Sequence, residues 1–318
     1  MAQTNKIATV FGGTGFVGRQ VVRELAKRGI TVKIATRVPE RAYFLRPCGV
    51  VGQIVPFACD YTSADSISRA VAGSDYVVNC IGILFERGKR QTFSKAHIET
   101  AGAIAAACTA HRVKRFVQIS SLGVDKAGSE YAKSKRAGEA LIQSRFPNAV
   151  ILRPSVIFGE DDSFFNMFAR MAKIFPALPL IGGGHTKFQP VYVGDVADAV
   201  MAVLEHDDAQ GRIFELGGPE VVTFRQIYER LFCYTGTPRP LVNLPFGLAK
   251  IQAFFMGVLP HPPLTPDQVE SLKTDNVVSP DALTLADLGL TPTPMDLILP
   301  TYLGAYKPGG AFADKKAA

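Results

Sequence analysis

Ile7-Ala8-Thr9-Val10-Phe11-Gly12-Gly13-Thr14-Gly15-Phe16-Val17-Gly18 is the stretch that decides the fold. Its first five residues read as a buried strand, and from Phe16 to Arg28 the apolar Val17, Val21, Val22 and Leu25 recur at helical spacing. Between them, Gly12, Gly15 and Gly18 mark a strand-to-helix turn where backbone N–H groups can approach a pyrophosphate. The phosphates would sit on the helix N-terminus, where unpaired N–H groups and the macrodipole favour an anion. Gly12, Thr14, Gly15, Phe16, Val17 and Gly18 are therefore candidate dinucleotide contacts.

Working outward, apolar runs at 31–35, 53–57, 76–81, 116–119 and 149–152 read as buried parallel strands. Helical segments lie between them, clearest at Phe93–His111 and Tyr131–Arg145. This alternation implies an α/β fold, a Rossmann-type doubly wound parallel sheet with a smaller C-terminal lobe. After Arg153-Pro154, glycine and proline punctuate the chain more often. The expected division is a nucleotide-binding domain over 1–153, a mixed region over 154–307 that completes the sheet and forms the smaller lobe, and a flexible tail over 308–318.

The end of the second strand, Ile34-Ala-Thr-Arg37, carries the cofactor choice. A site selective for NAD places an Asp or Glu here to accept from the ribose 2′-hydroxyl, whereas a 2′-phosphate wants a cation. Arg37 offers a fork of donors, and Arg19 is a candidate helper, so NADPH is expected over NADH. Both arginines could instead be solvated at a sheet edge. Asp60 and Tyr61 lie beyond the third strand, where Asp60 could meet the adenine edge or cap the helix starting near Ser63. Cys80, Ile81 and Gly82 end the fourth strand, where a small residue admits the cofactor ribose.

Tyr131 and Lys135 stand four apart on one helix face. A nearby cation lowers a phenol's pKa, and such a phenol can pass a proton to a carbonyl as hydride moves. With Gly12–Gly18, Arg37, Ser120-Ser121, Arg153-Pro154, Pro190–Val196 and Gly217-Gly-Pro219, the pair resembles the extended or atypical short-chain dehydrogenases/reductases from about residue 6 to beyond 230. More narrowly, Ile157–Asp162, Phe164–Phe168 and Leu264–Glu270 resemble the nucleotide-binding accessory subunits of respiratory complex I. The resemblance implies a tightly held NADPH, a structural or assembly role within NADH:quinone oxidoreductase, and cofactor contacts from Ser120, Tyr131, Lys135, Pro154, Ser155 and Val156. It implies Tyr131, Lys135 and Ser121 as the catalytic set, vestigial here. Active members carry a third hydroxyl residue after the strand-five serines, and Leu122 stands there unless the register slips and Ser121 serves. Little or no turnover is therefore expected of the isolated chain. The rivals are an NADPH-dependent reductase or epimerase of a carbonyl compound or nucleotide sugar, and an NADP(H)-sensing regulator.

The net charge of +7 invites nucleic acid as a partner, but the densest basic cluster, Arg87-Gly-Lys89-Arg90, has no interleaved aromatics, and none is expected to bind. The five cysteines form no C-x-x-C pair and fit reduced thiols rather than a disulfide or metal site. With Lys6 already opening the first strand, no secretory or mitochondrial leader is expected. The bacterial cytoplasm, peripheral on the cytoplasmic face of the inner membrane, is the expected location. In the second lobe, Ser163–Phe175 reads as a helix capped by Asp162 or Ser163, its phenylalanines either core or an apolar wall beside a long ligand. Gly182–Gly184 reads as a lobe connection rather than a phosphate nest. Phe246–Leu259, flanked by prolines including Pro260-His-Pro-Pro263, is apolar almost all round yet too short to span a bilayer. Burial is its default; docking on a partner or on a membrane surface is the alternative. The partners implied are other complex I subunits, at the junction of the peripheral and membrane arms.

Overall fold

The computed structural model describes residues 4–89, 91–257, 259 and 262–310. Arg90, Pro260, His261 and residues 311–318 of the expected tail lie outside the described residues. The centre is a seven-stranded parallel sheet built from β1 (Ile7–Phe11), β2 (Thr31–Thr36), β3 (Ile54–Ala58), β4 (Tyr76–Asn79), β5 (Arg115–Ile119), β6 (Val150–Pro154) and β11 (Ile213–Leu216). Its order is β11-β6-β5-β4-β1-β2-β3, so the winding reverses between β1 and β4. A crevice opens at the carboxyl ends of strands at such a reversal, which is where doubly wound folds bind ligands.

Helices α1 (Phe16–Lys27) and α6 (Val193–Glu205) cover one face, and α2 (Ala64–Val71), α3 (Thr100–Ala110) and α4 (Glu130–Arg145) cover the other. The stripe that predicted α1 is the one that buries: Val21, Val22 and Leu25 are fully enclosed with Val196 and Val200 of α6. Each contributes about 1.5–3 kcal/mol of apolar burial. The expected helix over Phe93–His111 divides in two, with a π-helical segment at Ser94–Glu99 before α3. Such segments widen the backbone spiral and often accompany functional sites.

The second lobe contains the short β7 (Ile157–Phe158), β8 (Leu178–Ile181), β9 (Lys187–Phe188), β10 (Val191–Tyr192), β12 (Val222–Thr223) and β13 (Leu241–Leu244). Around them lie α5 (Phe165–Ile174), α7 (Phe224–Thr235), α8 (Phe246–Met256), α9 (Pro266–Ser271) and α10 (Met295–Leu303). Phe165 and Phe168 of α5 bury against Phe158, Phe188, Phe224 and Tyr228, so they are core. Asp162, not Ser163, satisfies the start of α5, accepting from the N–H groups of Phe164 and Asn166 and from the Tyr302 hydroxyl. Gly182–Gly184 forms a short 3-10 turn directly after β8.

Burial of α8 is not what the structure shows. Only Ala249 and Ala253 are enclosed; Leu248, Ile251, Phe254 and Phe255 face outward, the two phenylalanines 71% and 70% exposed, and Leu259 beyond the helix is exposed as well. A helix apolar on every side carries no mark of which side faces inward, and here the small residues do.

Candidate functional site

Between β1 and α1 the chain is drawn unusually tight. Gly12 has φ +72°, and a Cβ there would stand 3.0 Å from the Cys80 carbonyl carbon. At Gly18 a Cβ would fall 2.2 Å from the Gly12 oxygen, so helix and loop meet only without a side chain. Gly15 caps α1 in an extended conformation with no side-chain bond to the first turn. The opening N–H groups of α1 therefore lack a side-chain acceptor, the arrangement that receives a phosphate.

At the far side of the crevice, Arg37 is exposed just past β2, its guanidinium carbon 5.7 Å from the centre of the Tyr61 ring. Tyr61 donates to the Ala35 oxygen at 2.7 Å, and burial pushes its phenol up to about 12. Asp60 accepts from the Thr62 backbone N–H and hydroxyl, which hold its carboxyl below the usual range. The cap of α2 is Ser63, accepting from Ser66, so Asp60 does not perform that role. Arg19 lies against the glycine turn, its Nε donating to the Gly15 oxygen at 3.2 Å. Its guanidinium pairs with Asp161, after β7, at 2.5 Å.

The other half of the site gathers around α4. Lys135 is 6% exposed; its ammonium donates to the Ile119 oxygen at 3.3 Å and lies 6.0 Å from the centre of the Tyr131 ring. Burial pushes its pKa down to about 8, opposed by Glu139 and Cys80. A Cβ at Gly82 would sit 3.2 Å from the Lys135 nitrogen, so the small residue at the β4 end admits this ammonium. Cys80 beside it is an inert thiol, driven up to about 12 by burial. Burial raises the Tyr131 phenol above its ordinary value, opposed by the Ser121 hydroxyl. Leu122, next along the chain, is a buried apolar residue. Ser120, 5% exposed, has a buried hydroxyl with no partner among the described residues, an orphan that a bound ribose or nicotinamide amide could satisfy.

Three groups joining this site have sequence separations that hide them. His97, in the π-helical segment, accepts at Nε2 from the Ile83 N–H at 3.1 Å, so its proton lies on Nδ1 and is donated to Ser134 at 2.9 Å. Ser134 donates in turn to the Tyr131 carbonyl, tying the β4 loop to α4. Burial pushes His97 down to about 3, with the Lys135 charge adding to the effect, so it is neutral. Asp267 of α9 accepts from the backbone N–H groups of Glu130 and Tyr131, at 2.7 and 3.0 Å. A carboxylate there also faces the positive end of the α4 dipole.

Asn276 completes the set. Its amide nitrogen donates to the Leu122 oxygen, and its Oδ1 accepts from the Ser155 hydroxyl at 2.6 Å and the Val156 N–H at 3.1 Å. Ser155 and Val156, expected to meet a cofactor, are thus engaged by a segment of the second lobe. Pro154 ends β6 beside Leu216 of β11, and its oxygen accepts from the Leu122 N–H. Beside Leu122 a cavity of about 100 Å³ is lined by Val156, Phe188, Leu272 and Asn276. Among the described residues, no cluster of His, Cys, Asp and Glu could hold a metal ion.

Residues 8–217 match the NAD dependent epimerase/dehydratase family. Relatives extend over nearly the whole chain. The mitochondrial NADH dehydrogenase [ubiquinone] 1 alpha subcomplex subunit 9 of Arabidopsis thaliana is 37% identical, covering 96% of this chain and 79% of that protein. The mitochondrial NADH-ubiquinone oxidoreductase 40 kDa subunit of Neurospora crassa is 33% identical, over 94% and 79%. Among solved structures, the Citrobacter sp. triphenylmethane reductase complexed with NADP(H) superposes with a TM-score of 0.72 at 20% identity, covering 91% of this chain and 97% of that one. A reversed parallel sheet, a glycine turn at the reversal and whole-chain likeness to these subunits agree: the chain belongs to the NAD dependent epimerase/dehydratase family, in the branch shared with the alpha subcomplex subunit 9 proteins of NADH dehydrogenase.

Proposed function

We propose that this chain holds NADP(H) and serves as an accessory subunit of respiratory complex I, stabilising or assembling it with little or no turnover. The relatives that cover nearly all of it are named as subunits of NADH dehydrogenase, which supports the assignment of partners. The observation that carries the non-catalytic part is the Asn276 clasp across Leu122, Ser155 and Val156. The cavity beside it measures about 100 Å³, against about 300–1,000 Å³ for ordinary small-molecule sites.

In this reading the pyrophosphate sits on Gly12–Gly18 at the start of α1, and Arg37 takes the 2′-phosphate with Tyr61 beneath it. Ser120, Tyr131 and Lys135 hold the nicotinamide ribose beside Cys80–Gly82, and the bound nicotinamide would be the hydride carrier if any transfer survives. Arg19, bonded to the Gly15 oxygen and paired with Asp161, borders the phosphates. The location proposed is the cytoplasmic face of a bacterial inner membrane, at the junction of the peripheral and membrane arms. No helix among the described residues is long and apolar enough to cross a membrane, and the outward face of α8 supplies a surface for neighbouring subunits or lipid.

Native electrophoresis of membranes in mild detergent tests this. The chain should migrate with NADH:quinone oxidoreductase activity, and its deletion should lower the amount of intact complex. Free migration, with the complex intact and fully active after deletion, would refute the proposal. A second reading, an NADPH-dependent reductase, is favoured by one observation, the Lys135 ammonium 6.0 Å from the centre of the Tyr131 ring. Robust NADPH oxidation that Tyr131→Phe abolishes would establish it instead.

A further inference from the structure

Between β2 and β3 the chain makes a turn of 3-10 helix, Pro39–Cys48, then a loop to Gln53. Only Ala42, Leu45 and Gln53 of this stretch are buried, and Tyr43, Phe44, Val50 and Val51 face outward, Val51 at 102% exposure. Outward valines on a loose loop would mean little, but this loop is fastened. Gln53 donates to the Ala26 and Ile30 carbonyls at 2.7 and 3.1 Å, and its Oε1 accepts from the Val50 N–H at 2.9 Å. One buried amide thus welds the loop to the end of α1 and presents the valines in a fixed pose, so docking costs little ordering entropy.

The surrounding charge is one-sided. Arg37, Arg41 and Arg46 are exposed across residues 37–55, against a single acid, Glu40. The Arg46 guanidinium carbon lies 4.3 Å from the centre of the Tyr43 ring. Aromatic side chains and arginine around an apolar centre are what protein interfaces enrich. Pro56 within the outer strand β3 removes a donor from its edge, so a partner would meet side chains rather than add a strand.

We infer that Tyr43, Phe44, Arg41, Arg46, Val50 and Val51 form a second docking face, for an acidic protein surface, on the opposite lobe from α8. The inference rests on the functional reading above and deepens it: the nucleotide domain is itself gripped by the complex, beside the adenine end of its site. Two anchors on two lobes would fix the chain's orientation where one could not.

The test uses the full chain expressed in place of the native one, as Arg41→Glu/Arg46→Glu and, separately, Val51→Asp. None of these residues is placed in the nucleotide site, so NADPH content and thermal melting should match wild type. On native gels at raised salt, both variants should lose co-migration with the oxidoreductase under conditions that retain wild type. Retention of both variants alongside wild type would overturn the face while leaving the functional reading intact; wild type migrating alone overturns both. Flotation of wild type with anionic phosphatidylglycerol vesicles, lost in Arg41→Glu/Arg46→Glu, would assign the face to lipid and overturn the inference. A wild-type dimer in sedimentation that Val51→Asp dissociates would assign the face to a second copy and overturn it equally.

Discussion

Arg37 stands where a site selective for NAD would carry an acid, and it rests near the Tyr61 ring rather than in an ion pair with Asp161 as Arg19 does. A planar donor fork near an aromatic face suits a phosphate and has no acceptor to offer a ribose hydroxyl. Arg37→Ala should therefore weaken NADPH by about 1.5–3 kcal/mol and leave NADH nearly unchanged. Calorimetry with both nucleotides measures this, and equal affinity in the unaltered protein would remove the assignment. His97 gives a pH dependence with a definite sign. Folded, it stays neutral down to about pH 3; unfolded, it takes a proton near 6.5. The stability it contributes is fully present above pH 6.5 and is lost as pH falls towards 3, by up to about 1.4 kcal/mol per pH unit. His97→Asn should flatten that limb in urea titrations at pH 7 and pH 5, while lowering stability at neutral pH through the Ile83 N–H. An unchanged slope would mean that another group governs the acid limb. Tyr131 and Lys135 were legible because they are one helical turn apart. His97, Asp267 and Asn276 were not, because their partners lie 14, 136 and 154 residues away along the chain. No periodicity links such positions.

At the scale of elements, strands β1 to β6 were legible because buried parallel strands are continuous apolar runs, and α1 because its stripe has period 3.6. The division of 93–111 was not, since a π-helical segment keeps nearly the same pattern of apolar residues as the α-helix it interrupts. Nor was the facing of α8. Its outward phenylalanines now carry a prediction of their own. Phe254→Asp/Phe255→Asp should release the chain from membranes in a flotation assay with melting temperature little changed, because exposed positions shift stability by only about 0.5 kcal/mol. A variant that stays bound would show that α8 docks nothing. Helix α8 packs on α9, whose Asp267 closes the start of α4. Asp267→Asn removes the charge from two bonds to N–H groups and should speed NADPH dissociation, followed by nucleotide fluorescence after dilution. Dissociation at the wild-type rate would confine Asp267 to folding alone.

Across the whole molecule, the proposed reading is of a nucleotide crevice kept on one side and closed on the other. The glycine turn, Arg37 and the Tyr131–Lys135 pair are the groups a cofactor would use, and Asn276 of the second lobe bonds Leu122, Ser155 and Val156. A redox enzyme needs both sides open; a subunit that uses its nucleotide as a structural part needs only the first. Its net charge of +7 and the outward apolar faces on the two lobes suit a chain held between acidic neighbours. The most direct measurement is native mass spectrometry of NADH:quinone oxidoreductase purified in mild detergent through a tag on this chain. The expected result is the tagged chain within the intact complex, released on activation with one NADP(H) still attached, and without it in Arg37→Ala. A complex that lacks the chain, or a chain in the complex that carries no nucleotide, would contradict the account.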